Sequence, residues 1–152
     1  LLINLERRGA PWSKAPMSSS TCDDLGKLVL RLVLGILILL HGLAKLRFGI
    51  GGVEGMLAAH GMPAFLAWGV YVGEIIAPIF LILGIYTRLG GLLVVINMVV
   101  AICLAHTSQL TKLGNAGGWA LELQGMYLFG ALAVLLLGAG AYGLGGRNGR
   151  WN

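Results

Sequence analysis

Four apolar runs, each long enough to cross a lipid bilayer, constrain this chain more than any other feature of its sequence. The first reads LVLRLVLGILILLHGLAKL from Leu28 to Leu46, and at about 1.5 Å of rise per residue it matches a hydrocarbon core of roughly 30 Å. The second extends from Ala64 to Ile85, the third from Leu89 to about Ala105, and the fourth from near Trp119 to about Ala141. With 57% of 152 residues hydrophobic and 11% charged, a water-soluble domain of this size has no core large enough to hide them, so the surplus faces lipid. The expected fold is all-α: a transmembrane four-helix bundle occupying residues 25–142, with a polar segment before it (1–24) and a short polar tail after it (143–152).

The first run is too long for a signal-peptide core, and no A-x-A site follows it. Asp23 or Asp24 is expected to cap the helix beginning near Leu25. Between the first two runs, FGIGGVEGMLAAHG is too polar to cross, yet Val53, Met56, Leu57 and His60 fall at helical spacing. A short helix lying on the outer interface accounts for both properties. The chain opens on leucine, and Met17 is an alternative start that would set the preceding residues aside.

Net charge is +5, with the basic residues spread over helix ends rather than gathered on one face, which disfavours nucleic acid as a partner. Arg7, Arg8, Lys14, Lys27, Arg88, Arg147 and Arg150 fall on one side of the four runs, and Lys45, Arg47 and Lys112 on the other. The excess of lysine and arginine on the first side places both termini in the cytoplasm; a start at Met17 leaves that bias smaller. Cys22 and Cys103 have no C-x-x-C partner and suit neither a disulfide framework nor a zinc site, so no metal is expected.

Ionisable residues inside spans are costly unless paired or wetted, which singles out Arg31, His41, Glu74, His106 and Glu122. On the first span Arg31, Gly35, His41, Gly42 and Lys45 fall within about 120° of arc, so that face packs inward. By helical rise His41 lies about 9 Å and Glu74 about 13 Å below the outer surface, with His106 and Glu122 within roughly 5 Å of it. His41, Glu74, His106 and Glu122, with Gln124, are thus expected to form a polar pocket in the outer half of the bundle. The candidate catalytic groups are Glu74, His41 and Glu122; the candidate cofactor-binding groups are His41, His106 and Gln124. Arg31, Lys45 and Arg88 are read as structural or buried charges, with Arg31 or His41 the expected partner of Glu74. Gly69, Gly73 and Ala77 form a small-x-x-x-small ridge suited to close helix packing. The G-x-G-x-x-G of Gly138, Gly140 and Gly143 ends an apolar span instead of following a strand, which disfavours a dinucleotide site. Paired ligation of haem by His41 and His106 is disfavoured by depths that differ by about 6 Å.

These residues resemble the DoxX family of small four-helix membrane proteins over about Leu28 to Leu144. The matching features are Arg31 with Gly35, the H-G-x-x-K of His41 to Lys45, Gly61 with Pro63, Glu74, the G-x-x-T-R of Gly84 to Arg88, Glu122, and Gly138 to Tyr142. The family's ending, G-x-G-x-Y-S-L-D, departs here to Tyr142, Gly143, Leu144 and Gly145, so its acidic residue is missing at this point. The resemblance implies a prokaryotic inner-membrane protein tied to redox chemistry, including quinone-linked oxidation and complexes with soluble detoxifying enzymes. The leading expectation is therefore a membrane subunit of a quinone-linked oxidoreductase or redox complex, with quinone as the cofactor. A soluble redox enzyme, other subunits or further copies of the chain would be its partners, beside the lipid bilayer. Two other readings stand beside it: a small-molecule carrier or permeability protein, and a non-catalytic scaffold or assembly factor.

Overall fold

The computed structural model describes residues 19–115, 117–146 and 148–152; the expectations for Arg7, Arg8, Lys14, Met17 and Arg147 lie outside them. The described chain is helical, with no strand beyond an isolated antiparallel bridge between Leu113 and Trp119. Helix α1 spans Ser19–Phe48, α2 Gly51–Ala59, α3 Ala64–Leu83, α4 Thr87–Ala105 and α5 Glu122–Leu137. In the order α1, α3, α4, α5 each long helix packs on the next, and α5 closes the ring against α1. Helices α1, α3 and α4 are each long and apolar enough to cross a bilayer, while α5 is a shorter apolar helix of 16 residues.

A narrow seam holds the bundle together. Leu34, Ile38, Ala77, Leu81, Val94, Met98, Ala131 and Val134 meet at its centre. Only 28%, 33% and 22% of the residues in the apolar stretches of α1, α3 and α4 are buried, leaving Val29, Val33, Ile36, Leu40, Ile96 and Val99 facing outward. Apolar side chains pointing away from the protein on every long helix require lipid as the surrounding solvent. The fold is an all-helical membrane bundle.

Several local expectations are corrected. Helix α1 begins at Ser19 and so takes in Asp23 and Asp24 instead of starting on them. Asp24 is buried, and its Oδ1 accepts a hydrogen bond of 3.1 Å from the amide of Ala141, tying the start of α1 to the segment after α5. Helix α5 is shorter than the apolar run, because Trp119 is held back by its bridge and by an indole N–H donated to the Leu110 carbonyl at 2.8 Å. At the other end Gly138, with φ +75° and ψ −167°, leaves helical conformation. In the small-residue ridge Gly73 and Ala77 are packed, whereas Gly69 faces open space.

Helix α2 forms between the first two spans as expected. Leu57 buries its side chain against Ile50 and Ala67, with Val53, Val70, Tyr71 and Leu104 around them, so its apolar face rests on the start of α3 and the end of α4.

Helix α3 is not a uniform α-helix. It starts after Pro63 with a 3-10 turn (Ala64–Trp68), passes through a π-helical turn at Val72–Ile76, and ends as α-helix from Ala77 to Leu83. Pro78 accounts for the π turn: it has no N–H to offer the Glu74 carbonyl four residues earlier, and its ring would collide with that oxygen in a regular helix. Widening the turn relieves the collision, and the Ala77 amide bonds to the Val72 carbonyl, five residues back.

Candidate functional site

The widened turn carries Glu74, and two glycines let neighbouring helices close on it. A Cβ at Gly42 of α1 would collide with the Glu74 carbonyl oxygen, and one at Gly73 would lie 2.5 Å from the side chain of Asn97 on α4. Small residues at these crossings bring three backbones unusually near one carboxylate. Only 7% of the Glu74 side chain is exposed.

Its counter-ion is Lys45, not Arg31 or His41. The Lys45 ammonium donates to both carboxylate oxygens of Glu74, at 2.5 and 2.6 Å, and the Asn97 amide approaches Oε1 at 3.4 Å. Lys45 follows His41 by one helical turn on α1, so its long stem reaches back along the helix toward the deeper carboxylate. A full ion pair at this depth avoids the cost of an isolated buried charge.

Beside the pair is a cavity of about 220 Å³ lined by Ile38, His41, Lys45, Glu74, Met98, Ala101, His106, Leu123, Gln124 and Tyr127. All of these residues lie in the half of the bundle away from the described chain ends. The cavity thus brings together His41, Glu74, His106 and Gln124. His41 is itself exposed, and its Nδ1 donates to the Leu37 carbonyl at 2.9 Å, which leaves Nε2 without a partner among the described residues. The His106 and Gln124 side chains meet through nitrogens 3.4 Å apart, and His106 Nδ1 is buried without a hydrogen-bond partner among the described residues.

Glu122 does not line the cavity. It sits exposed at the start of α5 with its carboxylate folded against Gly118, because the chain before α5 turns back as a hairpin and carries the helix start outward. Lys45 is half-buried, as befits the partner of Glu74, but Arg88 is exposed: at the start of α4 its head leaves the apolar region and donates from Nε to the Asn152 carbonyl at 3.1 Å.

Arg31 is fully buried at the opposite end of the bundle from the cavity. Its guanidinium donates to the carbonyls of Leu81, Ile82 and Tyr142, at 2.8, 2.7 and 2.6 Å. Two of those carbonyls belong to the last turn of α3, where a cation meets both unpaired acceptors and the negative end of the helix dipole. This is a packing role, and among the described residues the guanidinium engages no carboxylate.

Reading the residues one by one missed Asn97 and Tyr127. Asn97 had a visible signal, as an amide in the middle of an otherwise apolar run. Tyr127 had none: aromatic residues within a span are ordinary, and only the packing of α5 on α1 brings its ring edge-on to His41, with centroids 5.8 Å apart. Among the described residues no three His, Cys, Asp or Glu side chains gather as a metal-ligand set.

This architecture, a bundle of lipid-facing helices around a polar cavity, is that of a small integral membrane protein. A family model described as DoxX matches residues 26–107, more than half of the chain and the whole of α2, α3 and α4, and the chain belongs to the DoxX family. It is also similar to a curated protein of Bacillus subtilis (strain 168) named "Putative oxidoreductase CatD", with 32% identity over 79 residues. That match covers 52% of this chain and 58% of the relative, so the chain spans little more than half of the relative's length. No solved structure matches the chain significantly.

Proposed function

We propose that the chain is the membrane subunit of a quinone-linked oxidoreductase or redox complex, and that the cavity beside Glu74 holds a quinone head group. The observation that carries this reading is the meeting of His41, Glu74, His106 and Gln124 around one cavity within the lipid-facing bundle. At about 220 Å³ it exceeds the roughly 150 Å³ known to hold a single benzene ring, so one substituted ring fits. Its lining suits such a ring as well. Ile38, Met98, Ala101 and Leu123 offer apolar contact, while His41, His106, Gln124 and Tyr127 offer hydrogen-bonding groups at its edges. A bound quinone would supply the capacity to take up two electrons and two protons. The protein's part is to orient the ring and hold protons: the free Nε2 of His41 accepts a proton, and the Lys45 and Asn97 contacts keep Glu74 fixed nearby. The oxidoreductase name of the similar Bacillus subtilis protein supports the same class of chemistry.

Electrons in this reading come from a soluble partner enzyme or other subunits, or pass between bound substrates, with further copies of this chain as an additional contact. In this reading the protein sits in a prokaryotic cytoplasmic membrane with both ends inside, and the cavity opens toward the outer face. The test is purification of the tagged protein from native membranes in mild detergent, with mass spectrometry of copurifying proteins and extracted lipids. Quinone enriched above its level in bulk membrane, and lost in Glu74→Gln while the protein still accumulates, is the expected result. Recovery of the chain alone and free of quinone would turn the reading toward a carrier or a scaffold.

A further inference from the structure

Most polar groups of the cavity already have partners. Lys45 and Glu74 hold each other, Asn97 approaches Glu74, and Gln124 meets His106. Beyond the buried Nδ1 of His106, two positions remain open among the described residues. Because the Leu37 carbonyl can only accept, the His41 ring contacting it at 2.9 Å carries its proton on Nδ1, and the neutral ring then presents Nε2 as an acceptor. Tyr127 lines the same cavity, and its hydroxyl has no hydrogen-bond partner among the described residues, yet is not among the atoms sealed from contact. The two rings meet edge to face at 5.8 Å and 81°, on adjoining walls contributed by α1 and α5. His41 is exposed and Tyr127 half-buried, and hydrocarbon around the bundle offers neither of them a hydrogen bond, which favours a ligand that satisfies both.

We infer that His41 and Tyr127 form a clamp for a hydroxyl oxygen, so that the cavity prefers the reduced, hydroxyl-bearing form of its ring ligand to the oxidised, carbonyl form. The inference rests on the quinone reading of the cavity and adds a redox-state preference and a residue, Tyr127, to it. A ring hydroxyl donates to His41 Nε2 and accepts from Tyr127 Oη through one oxygen. A ring carbonyl accepts from Tyr127 but has no proton for His41, whose acceptor then stays unsatisfied. One hydrogen bond gained or lost in such a site corresponds to about tenfold in affinity.

The test uses the full chain in lipid nanodiscs, with decylubiquinone and its chemically reduced quinol as probes and binding followed anaerobically by equilibrium dialysis. The unsubstituted protein is expected to bind the quinol about tenfold more tightly than the quinone. Tyr127→Phe should weaken both forms alike. His41→Phe, which keeps a ring but loses the acceptor, should bring the quinol-to-quinone affinity ratio close to one; a merely structural role would not move that ratio. Equal affinity for the two forms in the unsubstituted protein, a comparison that needs no variant, overturns the clamp and leaves the quinone site standing. So does a preference that survives His41→Phe. Binding of neither form overturns the clamp and the quinone reading together.

Discussion

Lys45 and Glu74 are worth more as a couple than as individuals. With Glu74 only 7% exposed, removing the ammonium strands a carboxylate in an apolar bundle, whereas removing both charges strands nothing. Lys45→Met is therefore expected to destabilise the protein by about 3 kcal/mol in detergent, seen as an earlier thermal unfolding transition. The double variant Lys45→Met/Glu74→Met should recover most of that loss. A double variant as unstable as the single one would mean that the pair is not the origin of the effect. Arg31 obeys a different rule. Its charge is met by carbonyl dipoles of Leu81, Ile82 and Tyr142, so among the described residues no single acidic residue exists whose removal would strand it.

At the scale of elements, the decisive object is the π turn of α3 and the glycine that seats against it. Gly42→Ala adds a methyl group where the Glu74 carbonyl already lies, so α1 must move away from α3; overpacking of this kind costs about 2 kcal/mol and should also loosen the Lys45 contact. Thermal unfolding checks the first effect. The second shows as a smaller penalty for Lys45→Met when Gly42 is already replaced. The positions of α1, α2, α3 and α4 were legible in the sequence because uninterrupted apolar length is a strong signal and lipid leaves the chain few alternatives. That His41, Glu74, His106 and Gln124 lie in one half of the bundle was legible from helical rise; that they line one cavity was not, because rise does not give the order of the helices around the bundle. The partner of Glu74 was not, because depth counted along the backbone ignores the reach of a lysine stem, and because a π turn shifts the helical phase on which face assignments rest. Glu122 was misplaced for a related reason. Apolar length marks where a run could be helical, but the Leu113–Trp119 hairpin decides where α5 starts.

For the whole molecule, charge distribution predicts which end faces which compartment. Cys22 is exposed near the start of α1, and Gly52 is exposed on α2, just beyond the far end of α1. In a Cys103→Ser background, a membrane-impermeant maleimide is expected to label a Gly52→Cys variant in intact cells and to reach Cys22 only after permeabilisation. The reverse pattern would invert the topology and put the cavity on the cytoplasmic side. The two ends of the bundle are also fastened differently. At the end away from the cavity, Arg31 and Asp24 bind the segment after α5, and that segment in turn bonds to the α3–α4 turn through Leu144 to Leu83 and Gly145 to Gly84, each at 3.0 Å. At the cavity end, the side-chain bonds across helices are the Lys45–Glu74–Asn97 set and the longer contacts of Tyr71 and Gln124. In mechanical terms the molecule resembles a clip fastened more heavily at its base than at its jaws, so strain on the bundle is expected to part the cavity ends of the helices first.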